Sequence, residues 1–292
     1  MIDLRFSNVD PPEPEPSKTI YADILNLPDP MELGVCVRVF NLDDVGLYMQ
    51  LAGSHANWTF NTVNFGLRAS GTNYYYPKIT FGSRVKPTVE TTEIIQVTLN
   101  AYTDSGYSNL KWTMTRNITV FIVNSVDGSW TLDEDDDFDD GTVQGWAAQT
   151  SPQPPANIGV ANDFVLSAPW SLKANNNRPT AFDTSLWIYK TFNTPDKDNV
   201  LAVADLRFDR ALGVQYGFNV QILIDGVLTV YPLPQEPWPT RTFRLGFWYR
   251  FVFPLPRDST IEIRFRFRGV SNSHPWWLYL WMDDFKIISK DD

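Results

Sequence analysis

The stretch IEIRFRFRG, residues 261–269, alternates apolar and charged residues without a break. A helix would smear this period-two pattern around its circumference, whereas an extended strand sorts it onto two faces. Ile261, Ile263, Phe265 and Phe267 then belong to a core, and Glu262, Arg264, Arg266 and Arg268 point away from it. Strand-like segments rich in Val, Ile, Phe, Tyr and Trp recur along the chain between Gly- and Pro-bearing turns, and no long stretch has helical periodicity. The 292 residues are 43% hydrophobic and 14% aromatic, enough for one large core or two ordinary ones. The expected fold class is all-β, with two β-sandwich domains.

The first domain is expected over residues 1–128. IDLRF, TIYADIL, LGVCVRVF, GLYMQLA, NWTFNTVNF, EIIQVTLNAYTD and RNITVFIVNS read as its strands. Its closing strand, ending in VFIVNS, resembles that of an immunoglobulin-like or fibronectin type III-like sandwich, without the cysteine pair and tryptophan of antibody domains. The lone Cys36, within GVCVRVF, reads as a buried strand residue rather than a reactive thiol.

DEDDDFDDG, residues 133–141, follows. Residues 129–137 are expected to be a solvated acidic seam between domains, with Phe138 anchoring the start of something ordered. An EF-hand loop does not fit: with Gly141 at the sixth position, Phe138 stands where an oxygen ligand belongs and Ala147 where the terminal Glu should be.

Residues 138–292 form the second expected domain. FDDGTVQGW, WSLKA, WIYKTF and WMDDFKII follow one another in an order and spacing similar to those of β-jelly-roll carbohydrate-binding modules with the galactose-binding-like fold. The resemblance covers about residues 134–290. It implies Trp146, Trp170, Trp187 and Trp248 as framework residues. It also implies one structural calcium ion held by Asp139, the carbonyl of Lys173 and Asp283, pinning the first strand to the last. Calcium takes six to eight oxygen ligands and accepts this mixture of carboxylate and carbonyl.

Little in the sequence suggests catalysis. His55 and His274 are the two histidines, and neither lies in a zinc or triad motif. No Gly-rich loop joins a strand to a helix. A carboxylate pair of a jelly-roll hydrolase or lyase stays open as an alternative among 34 acidic residues. The net charge of −10 argues against general nucleic-acid or anionic-membrane binding. No run approaches the roughly 18 apolar residues of a membrane span.

Two surfaces could bind a ligand. Seven of the fifteen arginines lie between Arg241 and Arg268, opposed there by Asp258 and Glu262. The row Arg264, Arg266, Arg268 is either an exposed sheet face neutralised by cross-strand carboxylates such as Asp205 or Asp209, or a groove for anionic or hydroxyl-rich groups. Trp238, in LPQEPWPT, and Trp276 with Trp277, after His274 and Pro275, are placed to stack on sugar rings or to pack against a partner.

The expected role is non-catalytic recognition or assembly, with glycans or other surface proteins as partners and an oligomeric assembly. MIDLRFSNVDPPEPEPS lacks the layout of a secretory signal. A virion component, such as a capsid decoration, turret or tail protein, reconciles that with an extracellular type of module. A secreted accessory glycan-binding module is the alternative.

Overall fold

The computed structural model describes residues 1–292 apart from 7–17, 27–30, 72–73, 76–77, 152–155, 168, 177–182, 211–214, 225, 232–245, 247 and 271–277. No α-helix occurs among the described residues, and none of their helical segments is long and apolar enough to cross a membrane. The chain divides into two compact units, with described residues through Asn124 in the first and from Ser125 in the second.

The first unit contains β1 (Ile2–Phe6), β2 (Lys18–Asp23), β3 (Met31–Asn41), β4 (Leu47–Ser54), β5 (Thr59–Phe60), β6 (Val63–Arg68), β7 (Tyr74–Tyr75), β8 (Lys78–Arg84), β9 (Thr91–Tyr102) and β10 (Leu110–Val123). One sheet runs β1-β3-β8-β5, with β7 also on β3, and the other runs β2-β10-β9-β4-β6. β2 lies parallel to β10, while β1 pairs antiparallel with β3, so the amino-terminal segments contribute to both sheets. Alternate residues of β9 face inward, and Ile95, Val97, Leu99 and Ala101 are buried against Leu47, Met49 and Leu51.

Two details depart from the sequence expectation. NWTFNTVNF, read as one strand, divides between the sheets: Phe60 pairs with Phe81 of β8, and Val63 with Leu51 of β4. β8 has no counterpart among the expected strands, because KITFGSR mixes polar and apolar residues without a sustained period.

Glu93 lies buried at one end of this core. Its carboxylate accepts bonds from Arg84 Nη2 at 2.6 Å, Asn57 Nδ2 at 3.0 Å and the Trp58 indole. Burial opposes its charge, but the hydrogen bonds and the Arg84 charge together outweigh it, lowering the pKa to about 2 from an ordinary 4.5. A depressed carboxylate pKa stabilises the folded state above the unfolded value, and that stability is lost as pH falls through the folded one. The first unit is therefore expected to lose melting temperature between pH 4.5 and about 2, and Glu93→Gln to flatten that part of the profile.

The second unit contains β11 (Thr131–Asp136), β12 (Ala147–Ser151), β13 (Ala156–Ala161), β14 (Ser171–Asn176), β15 (Asp183–Asn193), β16 (Asn199–Arg210), β17 (Gln215–Ile224), β18 (Val227–Tyr231), β19 (Trp248–Pro254), β20 (Thr260–Val270) and β21 (Leu278–Lys290). The larger sheet runs β13-β14-β21-β16-β19, with β11 also on β21; the five-stranded sheet runs β12-β15-β20-β17-β18. Their inner faces share one core, built from Ile261, Ile263, Phe265 and Phe267 on one side and Leu280, Met282, Phe285 and Ile287 on the other.

The acidic run is no linker. Residues 131–136, inside the expected seam, form β11, which pairs antiparallel with β21 from Thr131 opposite Ser289 to Asp136 opposite Phe285. The charge count suggested solvation, but alternate carboxylates here have different surroundings. Asp136 is buried and accepts Lys190 Nζ at 2.8 Å and Trp146 Nε1 at 3.0 Å; Glu134 accepts Lys190 at 3.1 Å. Phe138 is fully buried at φ 61°, its amide donating to Gln144 Oε1 at 3.2 Å. Gly145 then takes φ 83°, which L side chains adopt only with strain, and delivers Trp146 to the core.

Candidate functional site

The outer face of the five-stranded sheet carries the strongest candidate. β20 lies between β15 and β17, and directly paired residues share a face. Arg266 is opposite Trp187 on β15 and Asn219 on β17; Arg264 is opposite Tyr189 and Gln221; Arg268 is opposite Ser185 and Gly217. On the far side of β15, Gln149 of β12 pairs with Trp187 and Ala147 with Tyr189. Two aromatic rings, the amides of Gln149 and Gln221 and three guanidinium groups thus belong to one sheet surface.

The face is partly built from its own contacts. The Arg266 guanidinium lies 5.5 Å from the Trp187 ring centre, and its Nε and Nη2 donate to Ser185 Oγ at 3.2 and 3.0 Å. This fixes the plane of the guanidinium beside the indole. Arg264 pairs with Glu262, the acidic residue of the same strand. Trp187, Tyr189, Arg264, Arg266 and Arg268 are all half-buried, and Gln149 is exposed. Such a surface can offer a flat apolar ring for stacking together with directional donors, the combination that a sugar's two kinds of surface demand.

The arginine row lies on this face, and the two carboxylates named from sequence as its cross-strand neutralisers belong to another strand. Asp205 and Asp209 sit on β16, in the other sheet. Asp205 is buried there, and its carboxylate accepts Arg250 Nη2 at 2.6 Å and Nε at 3.0 Å.

Trp187 was expected to be framework and instead belongs to the outward face. Trp146 does lie in the core, while Trp170 and Trp248 are half-buried. Trp238, Trp276 and Trp277 lie outside the described residues.

The expected calcium ligands occupy dissimilar surroundings. Asp283 is fully buried where the pairing of β21 with β16 shifts register, Asp284 lying opposite Asp205 but Met282 opposite Leu206. Its carboxylate accepts the backbone amides of Leu166 and Ser167, and Ser167 Oγ at 3.4 Å, tying residues 166–167 to the bulge. Burial raises its pKa, and those donors pull it the other way. Asp139 is exposed, three residues beyond the β11 end that pairs with Phe285. Lys173 pairs on both sides, with Gly159 and with Trp281. Among the described residues no three His, Cys, Asp or Glu side chains gather as a metal-binding group.

A second aromatic and cationic cluster lies on the outer side of the larger sheet. Tyr279 and Trp281 stack at 5.6 Å, Lys173 Nζ lies 5.2 Å from the Trp281 ring centre, and the Arg207 guanidinium 3.8 Å from that of Phe164. Trp281 is buried and donates to Asp163 at 3.1 Å, while Phe164 is exposed.

No protein-family model matches the sequence, and no curated relative is found for it. Solved structures similar to it are β-sandwich carbohydrate-binding modules, the kind of fold that the back half resembles in sequence. One, from the β-sandwich superfamily of such modules, is 10% identical with a TM-score of 0.39, over 97% of this chain and 96% of that one. The C-terminal family 22 module of Xyn10B from Clostridium thermocellum is 16% identical with a TM-score of 0.37, over 56% of this chain and 96% of that one. The enzymatically active domain of tailspike protein 4 of bacteriophage CBA120 is 11% identical with a TM-score of 0.34, over 57% of this chain but 22% of its own length. At these identities and scores, no ligand or activity carries over to this chain.

Proposed function

We propose that this protein is a non-catalytic glycan-binding protein whose ligand lies on the outer face of the five-stranded sheet. The observation that carries the reading is the Trp187–Arg266 pair flanked by Tyr189, Arg264 and Gln149. The indole supplies a stacking plane for the C–H face of a pyranose, and the neighbouring guanidinium and amide groups supply hydrogen bonds to ring substituents. Trp187→Ala is expected to weaken binding about tenfold or more, since a stacking aromatic at the centre of a site carries a large share of its affinity. Affinity electrophoresis of the full chain through gels containing soluble polysaccharides reads this; equal retardation of wild type and variant in every gel that retards either would remove the site from this face.

The finer reading is a virion or other extracellular assembly that displays this face. Supporting it, Val227 and Leu228 are exposed at 68% and 50% on the edge strand β18 of the same sheet, where a second chain could pair. It expects a multimer in size-exclusion chromatography with light scattering, and a monomer favours a secreted accessory module. One structural calcium ion also stays a proposal: held by Asp139, Asp283 and the Lys173 carbonyl, it would have to share or displace the amide donors on Asp283. EDTA would then lower the melting temperature of the second unit, and an unchanged curve would remove the ion from the account.

A further inference from the structure

We infer that the first unit carries a binding site of its own, independent of Trp187, for an uncharged, hydroxyl-rich polysaccharide on the outer face of the sheet β2-β10-β9-β4-β6. The inward residues of β9 belong to the core, so its outward ones are Thr92, Ile94, Gln96, Thr98, Asn100 and Tyr102. Directly opposite on β10 lie Phe121, Thr119, Asn117, Thr115 and Thr113. On β4, Ala52, Gln50 and Tyr48 stand opposite Thr98, Asn100 and Tyr102. β2 extends the face with Thr19 and Tyr21, and β6 with Asn64 and Leu67. None of these residues is charged. A fifth of the chain is, and an exposed surface ordinarily carries roughly a quarter to a third of charged residues. Gln96, Thr113, Thr115 and Asn117 are exposed, so burial does not account for the lack of charge.

Thr, Asn, Gln and Tyr side chains can both donate and accept, as sugar hydroxyls do. They are aligned by one another on this face. Thr98 and Thr115 share a hydrogen bond between hydroxyls at 3.0 Å, Thr113 Oγ1 donates to Asn100 Oδ1 at 2.9 Å, and Gln50 Nε2 donates to Asn64 Oδ1 at 2.8 Å. Both asparagines are engaged through Oδ1, which leaves their Nδ2 groups as donors. At one end of the face Tyr107 lies edge-on to Tyr48 and Tyr102, with ring centres 6.2 and 5.5 Å away. Tyr107 stands at φ 54°, a costly conformation for a bulky residue. Its turn is held by Asp104, which accepts the amides of Gly106, Ser108 and Asn109 at 3.1, 3.2 and 2.7 Å, and its own hydroxyl accepts the Gly66 amide at 3.1 Å. Strain of this kind is retained where it positions a side chain for use, and it seats a third ring beside the other two. Rings next to neutral donor-acceptor groups suit a pyranose polymer. A second copy of the chain would call for an apolar centre, whereas Thr98, Asn100, Thr113 and Thr115 make this centre polar.

The test uses the full chain carrying Trp187→Ala, so that the face of the second unit contributes little. Its mobility is read in native gels containing arabinoxylan, mixed-linkage β-glucan, galactomannan or dextran, with polygalacturonate as the charged comparison and a polymer-free gel as reference. At least one neutral polymer is expected to retard it. Thr115→Glu should weaken that binding about tenfold or more, because its carboxylate would lose water beneath the ligand. Tyr107→Asn, which tolerates the same backbone angle and removes the ring, should weaken it similarly and serves if Thr115→Glu fails to fold. No retardation by any neutral polymer, or retardation unchanged by both substitutions, would overturn the site and leave the Trp187 face to its own test. Tighter binding of polygalacturonate than of every neutral polymer would overturn its neutral selectivity. A dimer in light scattering that Thr115→Glu converts to a monomer would overturn it in favour of a contact between copies.

Discussion

Lys190→Met is expected to destabilise the second unit by about 3–5 kcal/mol, the cost typical of removing one partner from a buried ion pair. Lys190 comes from β15 of the five-stranded sheet and reaches Asp136 of β11, in the other sheet, at 2.8 Å. The Asp136 and Lys190 side chains are 5% and 15% exposed, so water does little to compensate either charge. Burial pushes the Asp136 carboxyl above its ordinary value against the pull of Lys190 and Trp146. Without Lys190 the upward push is less opposed, and an acid left with less support is more easily tolerated when protonated. The deficit against wild type should therefore be largest near neutral pH and shrink as pH falls and Asp136 takes up a proton. Chemical denaturation of both proteins across pH measures this. A deficit that does not change with pH would assign the loss to the cation's contact with the Phe192 ring, whose centre lies 4.9 Å from Nζ.

The second large effect is expected at Trp146. Its ring lies 5.2 Å from Phe285, 5.7 Å from Phe192 and 5.9 Å from Phe265, uniting side chains of both sheets, and its Nε1 satisfies Asp136. Trp146→Ala should cost about 3–5 kcal/mol, combining lost apolar burial with the cavity that remains. Trp146→Phe keeps much of the volume and removes the indole donor, so its cost should be nearer 1–3 kcal/mol. Both substitutions touch the acid that Lys190 serves, and the double variants should therefore be non-additive. Additive losses in urea denaturation would mean that Asp136 does not couple the two residues.

The architecture was legible where one face of a strand is apolar and the other is not. IEIRFRFRG named its own core residues, and Ile261, Ile263, Phe265 and Phe267 are each no more than 1% exposed. The closing strand was legible too, since WMDDFKII alternates well enough to mark one, but its partner β11 lies in the run expected to be a seam. Reading failed where both faces carry apolar residues. In SLWIYKTF, Leu186 and Ile188 face the core while Trp187 and Tyr189 lie on the outer face, and hydropathy alone cannot say which pair goes inside.

The acidic run misled for a related reason. Like charges suggest solvation, but in β11 a lysine 54 residues distant in sequence supplies the compensation. The company kept by the arginines was likewise a property of pairing among β15, β20 and β17, which brings together residues far apart in the chain. The arginine row itself could be found from alternation; the rings beside it required the register.

Hydrogen–deuterium exchange of the full chain, with and without a saturating concentration of the polysaccharide that binds it, tests the proposed face most directly. The account predicts ligand-dependent protection concentrated in residues 185–191 and 262–268, on adjoining strands, and lost in Trp187→Ala. Protection that spares both segments and falls elsewhere in the chain would contradict it.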